Sequence, residues 1–263
     1  KDVTGSLWDI KYAIEKEDSS IVIATTRPET MLGDTAIAVH PEDERYRDII
    51  GKNAILPILN KSIPIIADEY VKMDQGSGAV KITPAHDFND YEIGVRHNLE
   101  VINRFNENAE LNENTPPNYR GLGRYDAREM IIRELEELNV LEKTEENENT
   151  VPYGDRSGEV VEPWLTDQWF VDAKKLSIDA IQKVRDGTTK FIPKNWEKTY
   201  FEWMENIQPW CVSRQLNWGH QIPAWYGPDG KIFVATDEQN AAELAKKHYQ
   251  KETELTQESD VLD

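Results

Sequence analysis

One cysteine, Cys211, stands among 263 residues. A lone thiol cannot form an internal disulfide, and it excludes a cysteine-based structural zinc site. No apolar run approaches the ~20 residues needed to cross a bilayer, and no signal-peptide pattern opens the chain. A Gly-x-Ser-x-Gly nucleophile elbow is missing. So is a Walker loop, since Gly76-Ser77-Gly78 alone reads as a turn. Basic residues are also scarce, with 30 Lys and Arg against 49 Asp and Glu and a net charge of −19. Phosphate contacts require cations, so any nucleic-acid contact is expected to be local. The acid is itself local. Residues 126–149 hold nine acids and three bases, and residues 252–263 hold five acids and no base.

What is present suits a soluble globular chain of one large or two modest domains. A length of 263 residues can bury a substantial core. Strands are read at 6–13, 20–26, 35–40 and 79–83, and near an edge at 53–59 and 63–67, where proline interrupts. Another strand is read at 100–105. Helices are read at 43–50, 89–98, 125–138, 171–185 and 237–250, and a further strand at 231–235. Residues 106–120, rich in Asn, Glu and Pro, read as an exposed loop. The last dozen residues read as frayed. Texture changes near residue 150, and six of the eight tryptophans lie between Trp164 and Trp218. The expected class is therefore α+β, with a β-rich domain over 1–152 and an α/β segment over 153–263.

Two stretches concentrate chemistry. Thr25-Thr26-Arg27-Pro28-Glu29-Thr30 follows the apolar Ile21-Val22-Ile23. Lys81-Ile82-Thr83-Pro84-Ala85-His86-Asp87 runs on through Asp90. Each reads as a buried strand that stops and turns, and loops held by a rigid sheet are common seats of function. On the residues alone, Asp90 reads first as a carboxylate at a helix N-terminus, Arg27 as a partner of Glu29 and Thr30 as a turn or cap hydroxyl. Lys81 reads equally as a strand-end lysine. His86 with Asp87 and Asp90 invites a metal reading, but no second histidine has ligand spacing and no metal site is expected. Cys211 reads as a packed thiol.

These stretches resemble the editing domain inserted in valyl-tRNA synthetase. So do Ala36-Ile37-Ala38-Val39-His40-Pro41-Glu42-Asp43, Val151-Pro152-Tyr153-Gly154-Asp155-Arg156-Ser157-Gly158 and the tryptophan-rich run from Trp210 to Tyr226. The resemblance covers most of the chain. It implies a barrel-like mixed sheet with peripheral helices over 1–152, and over 153–263 a connection back to the synthetase's catalytic domain. The His-Ile-Gly-His and Lys-Met-Ser-Lys-Ser signatures do not occur, so an excised insertion without aminoacylation or ATP chemistry is expected.

The implied reaction is hydrolysis of threonine misattached to the valine tRNA, by direct attack of water on the ester. The resemblance implies that Asp90 anchors the α-amino group, with Thr30 and Lys81 beside it in the catalytic group. It places Thr25, Thr26, Arg27, Thr83 and Asp87 against the substrate. Gln75 stands where some family members present an aromatic or basic residue toward the terminal adenosine. Implied partners are the tRNA 3′ end carrying the wrong amino acid and the remainder of the parent enzyme. No cofactor or membrane is implied, and a cytoplasmic monomer is expected. Two rival readings follow from the same residues. One is a non-catalytic module that binds the tRNA end and is inactive when excised. The other, a freestanding editing protein, is disfavoured by the connecting segment. The tryptophans read as core, or as an interface with the catalytic domain, rather than as base-stacking platforms.

Overall fold

The computed structural model describes residues 1–263. Two compact units emerge, Lys1–Leu165 and Thr166–Asp263. Packing therefore carries Tyr153–Leu165 with the first unit, beyond the change of composition near 150.

The first unit contains β1 (Asp2–Ile14), β2 (Ser20–Thr25), β3 (Ala36–Val39), β4 (Asn53–Leu56), β5 (Lys61–Ala67), β6 (Ala79–Ile82), α1 (Phe88–Arg96), α2 (Arg124–Glu137) and β7 (Leu141–Thr150). The strands form one sheet in the order β2-β1-β4-β5-β3-β6, with β7 also on β1. Only β3 and β5 run parallel. The two ends of the path, β2 and β6, lie close together, so the sheet is nearly closed and barrel-like. Side chains alternate along it. Trp8, Ile10, Tyr12 and Ile14 of β1 and Ile21, Ile23 and Thr25 of β2 point inward. The stripe Ala127, Ile131 and Leu135 of α2 closes over this core. β3 is buried on both faces. Ile37 and Val39 join the main core, while Ala36 and Ala38 pack with Ile82 and with Ile93 of α1.

Several sequence expectations change here. The helix expected over 43–50 is a single 3-10 turn, Arg47–Ile49. No strand covers 100–105; Phe105 alone bridges Leu111. β4 and β5 lie inside the sheet, and Pro64 is accommodated because β3 pairs with β5 only from Ile65 onward. The 106–120 stretch is pinned rather than loosely exposed. Leu111, Thr115 and Tyr119 are buried, and Asn112 donates to the carbonyls of Asn103 and Phe105. The acidic run after α2 forms β7, an exposed polar strand whose charges suit a sheet edge.

The second unit holds β8 (Phe170–Val171), α3 (Ala173–Arg185), α4 (Trp196–Glu205), β9 (Trp210–Cys211), β10 (Ser213–Arg214), β11 (Ala224–Tyr226), β12 (Ile232–Val234), α5 (Glu238–Tyr249), β13 (Thr256–Gln257) and β14 (Val261–Leu262). Its end is not frayed, because β13 pairs with β11 and β14 with β10. Trp225 is buried, whereas Trp196, Trp203, Trp210 and Trp218 are exposed, so most of the tryptophan cluster is not core. No helix is long and apolar enough to cross a membrane.

Candidate functional site

β2 and β6 deliver the two chemical stretches to the same end of the barrel. After β2 the chain turns through Thr26 and Arg27 into a 3-10 segment, Pro28–Gly33, in which every residue is buried. Thr25 Oγ1 accepts from the Arg27 amide at 3.0 Å and fixes the turn. After β6, Thr83 to His86 form a buried turn into α1. Asp87 caps that helix by accepting from the amides of Asn89 at 2.8 Å and Asp90 at 3.1 Å. Its replacement by alanine is expected to cost about 0.5–2 kcal/mol, read as a lower denaturant midpoint with unchanged slope.

The stretches meet at Lys81. Its Nζ donates to Thr30 Oγ1 at 2.8 Å, Thr83 Oγ1 at 2.5 Å and Asp34 Oδ1 at 3.2 Å. An ammonium has three donors, so all of them are engaged. Thr83 Oγ1 donates onward to Asp34 at 2.7 Å, and Tyr12 donates to the other Asp34 oxygen at 2.8 Å. Burial pushes the Asp34 carboxyl up, against the pull of Lys81, Thr83 and Tyr12. The Thr83 amide donates to Asp90 Oδ2 at 2.9 Å. That is the only donor on Asp90, and its second oxygen is open. Asp90 is 8% exposed. Burial pushes its carboxyl up to about 6; Lys81 and the Thr83 amide resist, and the Asp87 and Asp34 charges add to the rise.

Arg27 is differently placed from a free substrate contact. Its Nη1 donates to the His86 carbonyl at 3.0 Å, its Nε to Glu29 at 3.3 Å and its Nη2 to Glu162. Burial pushes the Glu29 carboxyl up, but the bidentate Arg128 fork and the Arg27 charge outweigh it and hold Glu29 below its ordinary value. His86 Nε2 accepts the Arg104 amide at 3.0 Å, and the ring meets Phe105 edge-on. Burial, reinforced by the charges of Arg27, Lys81 and Arg104, holds His86 down to about 3, so the imidazole is neutral.

A cavity of about 520 Å³ in the first unit opens beside this cluster. Thr26, Arg27 and Asp87 line it, whereas Lys81, Thr83 and Asp90 do not. Gln75 is exposed on the turn before β6. Gly76 rests on β2 there, since a Cβ at Gly76 would stand 3.1 Å from that of Ala24. Structure thus joins Thr30, Lys81, Thr83 and Asp90 directly. Thr25 and Asp87 make local turn and cap bonds, and Thr26 faces the cavity. Sequence reasoning missed Asp34, Tyr12, Arg124, Arg128 and Glu162. Only Asp34 carried a signal: an acid one residue, Gly33, beyond the apolar Met31-Leu32 pair, placed to need a buried partner.

A family model described as tRNA synthetases class I (I, L, M and V) matches residues 11–263. The chain belongs to this family. Over all of its 263 residues it is 58% identical to a valine–tRNA ligase of Pelagibacter ubique, of which it spans 30%. It is 54% identical to the valine–tRNA ligase of Rhodopseudomonas palustris over 277 residues, covering 97% of this chain and 29% of that protein. The chain thus spans less than a third of the length of these relatives. A solved LeuRS–tRNA–LeuAMS complex from Agrobacterium radiobacter K84 aligns with all of this chain and 30% of that one, at 18% identity and a TM-score of 0.42. That likeness is too distant to bear on fold or function.

Proposed function

We propose that the first unit hydrolyses threonine misattached to the valine tRNA, as the editing module of a valine–tRNA ligase whose catalytic domain the second unit connects to. The supporting observation is the hydrogen-bonded group Thr30–Lys81–Thr83–Asp34, tied through the Thr83 amide to an Asp90 with one oxygen open. In this reading Asp90 takes the substrate ammonium through a charge-assisted hydrogen bond. Lys81 acts by orienting Thr30 and Thr83, since its own donors are all engaged. Thr25, Thr26, Arg27 and Asp87 frame the ester and the ribose, and Gln75 borders the terminal nucleoside. Water attacks the carbonyl, and positioning supplies most of the rate. The neutral, buried His86 shapes the turn and does not act as base.

The resident partners are then the aminoacylated tRNA 3′ end and the rest of the parent enzyme. The exposed tryptophans of the second unit fit an interface with that parent. A second reading is a tRNA-end module inactive once excised, since the −19 charge and the engaged Arg27 fork both weaken capture of a tRNA by the isolated chain. Deacylation of threonyl-tRNA(Val) compared with valyl-tRNA(Val) decides between them. A hydroxyl-reading site should favour the threonyl ester by roughly 10⁴–10⁵-fold, a range that describes such sites in general, synthetases among them. No deacylation of either ester above the uncatalysed rate would leave the binding module, and equal catalysed rates would remove the hydroxyl-reading site.

The pH dependence follows from Asp90. Its carboxyl must be ionised to hold an ammonium, so kcat/KM should fall as pH drops through about 6. A profile flat between pH 5 and 8 would remove Asp90 from the anchor role.

A further inference from the structure

Two guanidinium groups converge on one carboxylate inside the 520 Å³ cavity. Arg27 comes from the turn after β2, Arg124 from the first residue of α2, and Glu162 from the stretch that follows the isolated Tyr153–Val160 bridge. One Glu162 oxygen takes Arg27 Nη2, and the other takes Arg124 Nη1 at 2.9 Å. The neighbouring Glu29 takes only a longer bond from Arg27 Nε, at 3.3 Å, because Arg128 holds both its oxygens at 2.7 and 2.8 Å.

We propose that the Arg27–Arg124 pair is an anion subsite for a phosphodiester of the substrate's nucleotide end, and that Glu162 is its self-supplied occupant. The inference rests on the reading of the first unit as acting on an aminoacylated nucleotide. Two oxygens of a phosphodiester present the same paired acceptors to arginine forks as a carboxylate does. The charge count agrees. Glu29 and Arg128 offset each other, which leaves Arg27 and Arg124 against Glu162 and against Asp87, which lines the same cavity without bonding either arginine. A phosphodiester, with one negative charge, restores that count when the carboxylate withdraws. Withdrawal breaks no helix or strand, since none covers residues 161–169. The exchange also accounts for how a chain of net charge −19 could admit a polyanion. Glu162 screens the pair until a phosphate takes its place.

The test uses the full chain and ligands without an aminoacyl ester, so it does not depend on ester hydrolysis. Affinity is measured for a dinucleotide ending in 3′-adenosine, for adenosine and for pyrophosphate. Glu162→Gln removes the competing charge and should tighten the dinucleotide about 10-fold while leaving adenosine unchanged. Its salt dependence should steepen by about 0.7 in log–log slope, one phosphate's share for a single strand. Adding Arg124→Gln should erase the gain. Glu162→Asp keeps the charge, but it is one methylene shorter and cannot bridge both arginines. It should give a smaller gain, and it serves if the glutamine variant folds poorly. Unchanged or weaker dinucleotide binding in the folded Glu162 variants overturns the proposal and leaves a structural ion pair. Tightening of pyrophosphate alone also overturns it, since the anion would then be a free phosphate rather than a nucleotide link. Failure of editing itself reads out separately, in the deacylation comparison.

Discussion

Replacing Asp90 with asparagine should abolish deacylation of threonyl-tRNA(Val) while leaving a chain that is folded and somewhat more stable at neutral pH. The kinetic side follows from the loss of the ammonium's charged partner in a largely desolvated site. Truncating one member of such a pair costs about 2–5 kcal/mol, or roughly 30- to several-thousand-fold in rate. The stability side follows from the sign of the carboxyl's shift. Burial pushes Asp90 up to about 6 from an ordinary 3.8. A raised carboxyl contributes stability that is full below the unfolded value and is lost as pH rises through 6. At pH 7 the ionised Asp90 therefore burdens the fold. Asparagine keeps an oxygen for the Thr83 amide and discards the charge, for an expected gain of about 1–2 kcal/mol. Chemical denaturation at about pH 4 and about pH 7.5 checks this, and the gain should appear mainly at the higher pH. An Asp90→Asn chain that deacylates at the normal rate would remove the anchor. One that is destabilised at both pH values would make Asp90 a structural acid.

Lys81→Met should be the most damaging substitution to stability among the site residues. It leaves Asp34 fully buried with only the Tyr12 and Thr83 hydroxyls as donors. Removing one partner of a buried ion pair costs about 3–5 kcal/mol, because the remaining charge has no compensation. For a unit of this size that corresponds to a fall in Tm of roughly 10 °C. Adding Asp34→Asn should recover a substantial part, since the stranded charge is then gone. This double variant separates two roles. If Lys81 serves only stability, deacylation returns with the fold. If it orients Thr30 and Thr83 for the substrate, the restored fold stays inactive. Equal stability of Lys81→Met and the parent chain would contradict the buried pairing altogether.

The strands at 6–13 and 20–26 and the helix at 125–138 were legible in the sequence, because hydrophobic period is local, whereas the cap at Asp87 was not read, the helix being expected from residue 89 with Asp90 at its N-terminus. Residues 141–150 were not legible as a strand. Their charges mark an exposed edge, and only pairing with β1 orders them. The end of the chain misled for the same reason, since β13 and β14 exist through partners far away in sequence. Similarly, the 3-10 turn at 47–49 replaces an expected helix. At the candidate site the resemblance gave the residues, and the residues alone gave their local bonds. Arg27 does pair with Glu29, and Thr30 does bond back to the Arg27 carbonyl at 3.0 Å. Convergence of Lys81 on Thr30, Thr83 and Asp34 needed the closed sheet. Glu162, 135 residues beyond Arg27, had no local signature at all.

The central claim is that Thr25–Thr30 and Lys81–Asp90 enclose one aminoacyl group. Its most direct test is a carbon-13 titration of the Asp90 carboxyl, with and without a non-hydrolysable 3′-threonylamido adenosine, alongside the amide shifts of both stretches. The account predicts that Asp90 titrates near 6 in the free chain, falls by more than one unit when the ligand's ammonium binds, and shifts together with the Thr26–Thr30 and Thr83–Asp90 amides. An Asp90 titration unmoved by saturating ligand, or shifts confined to one stretch, would contradict it.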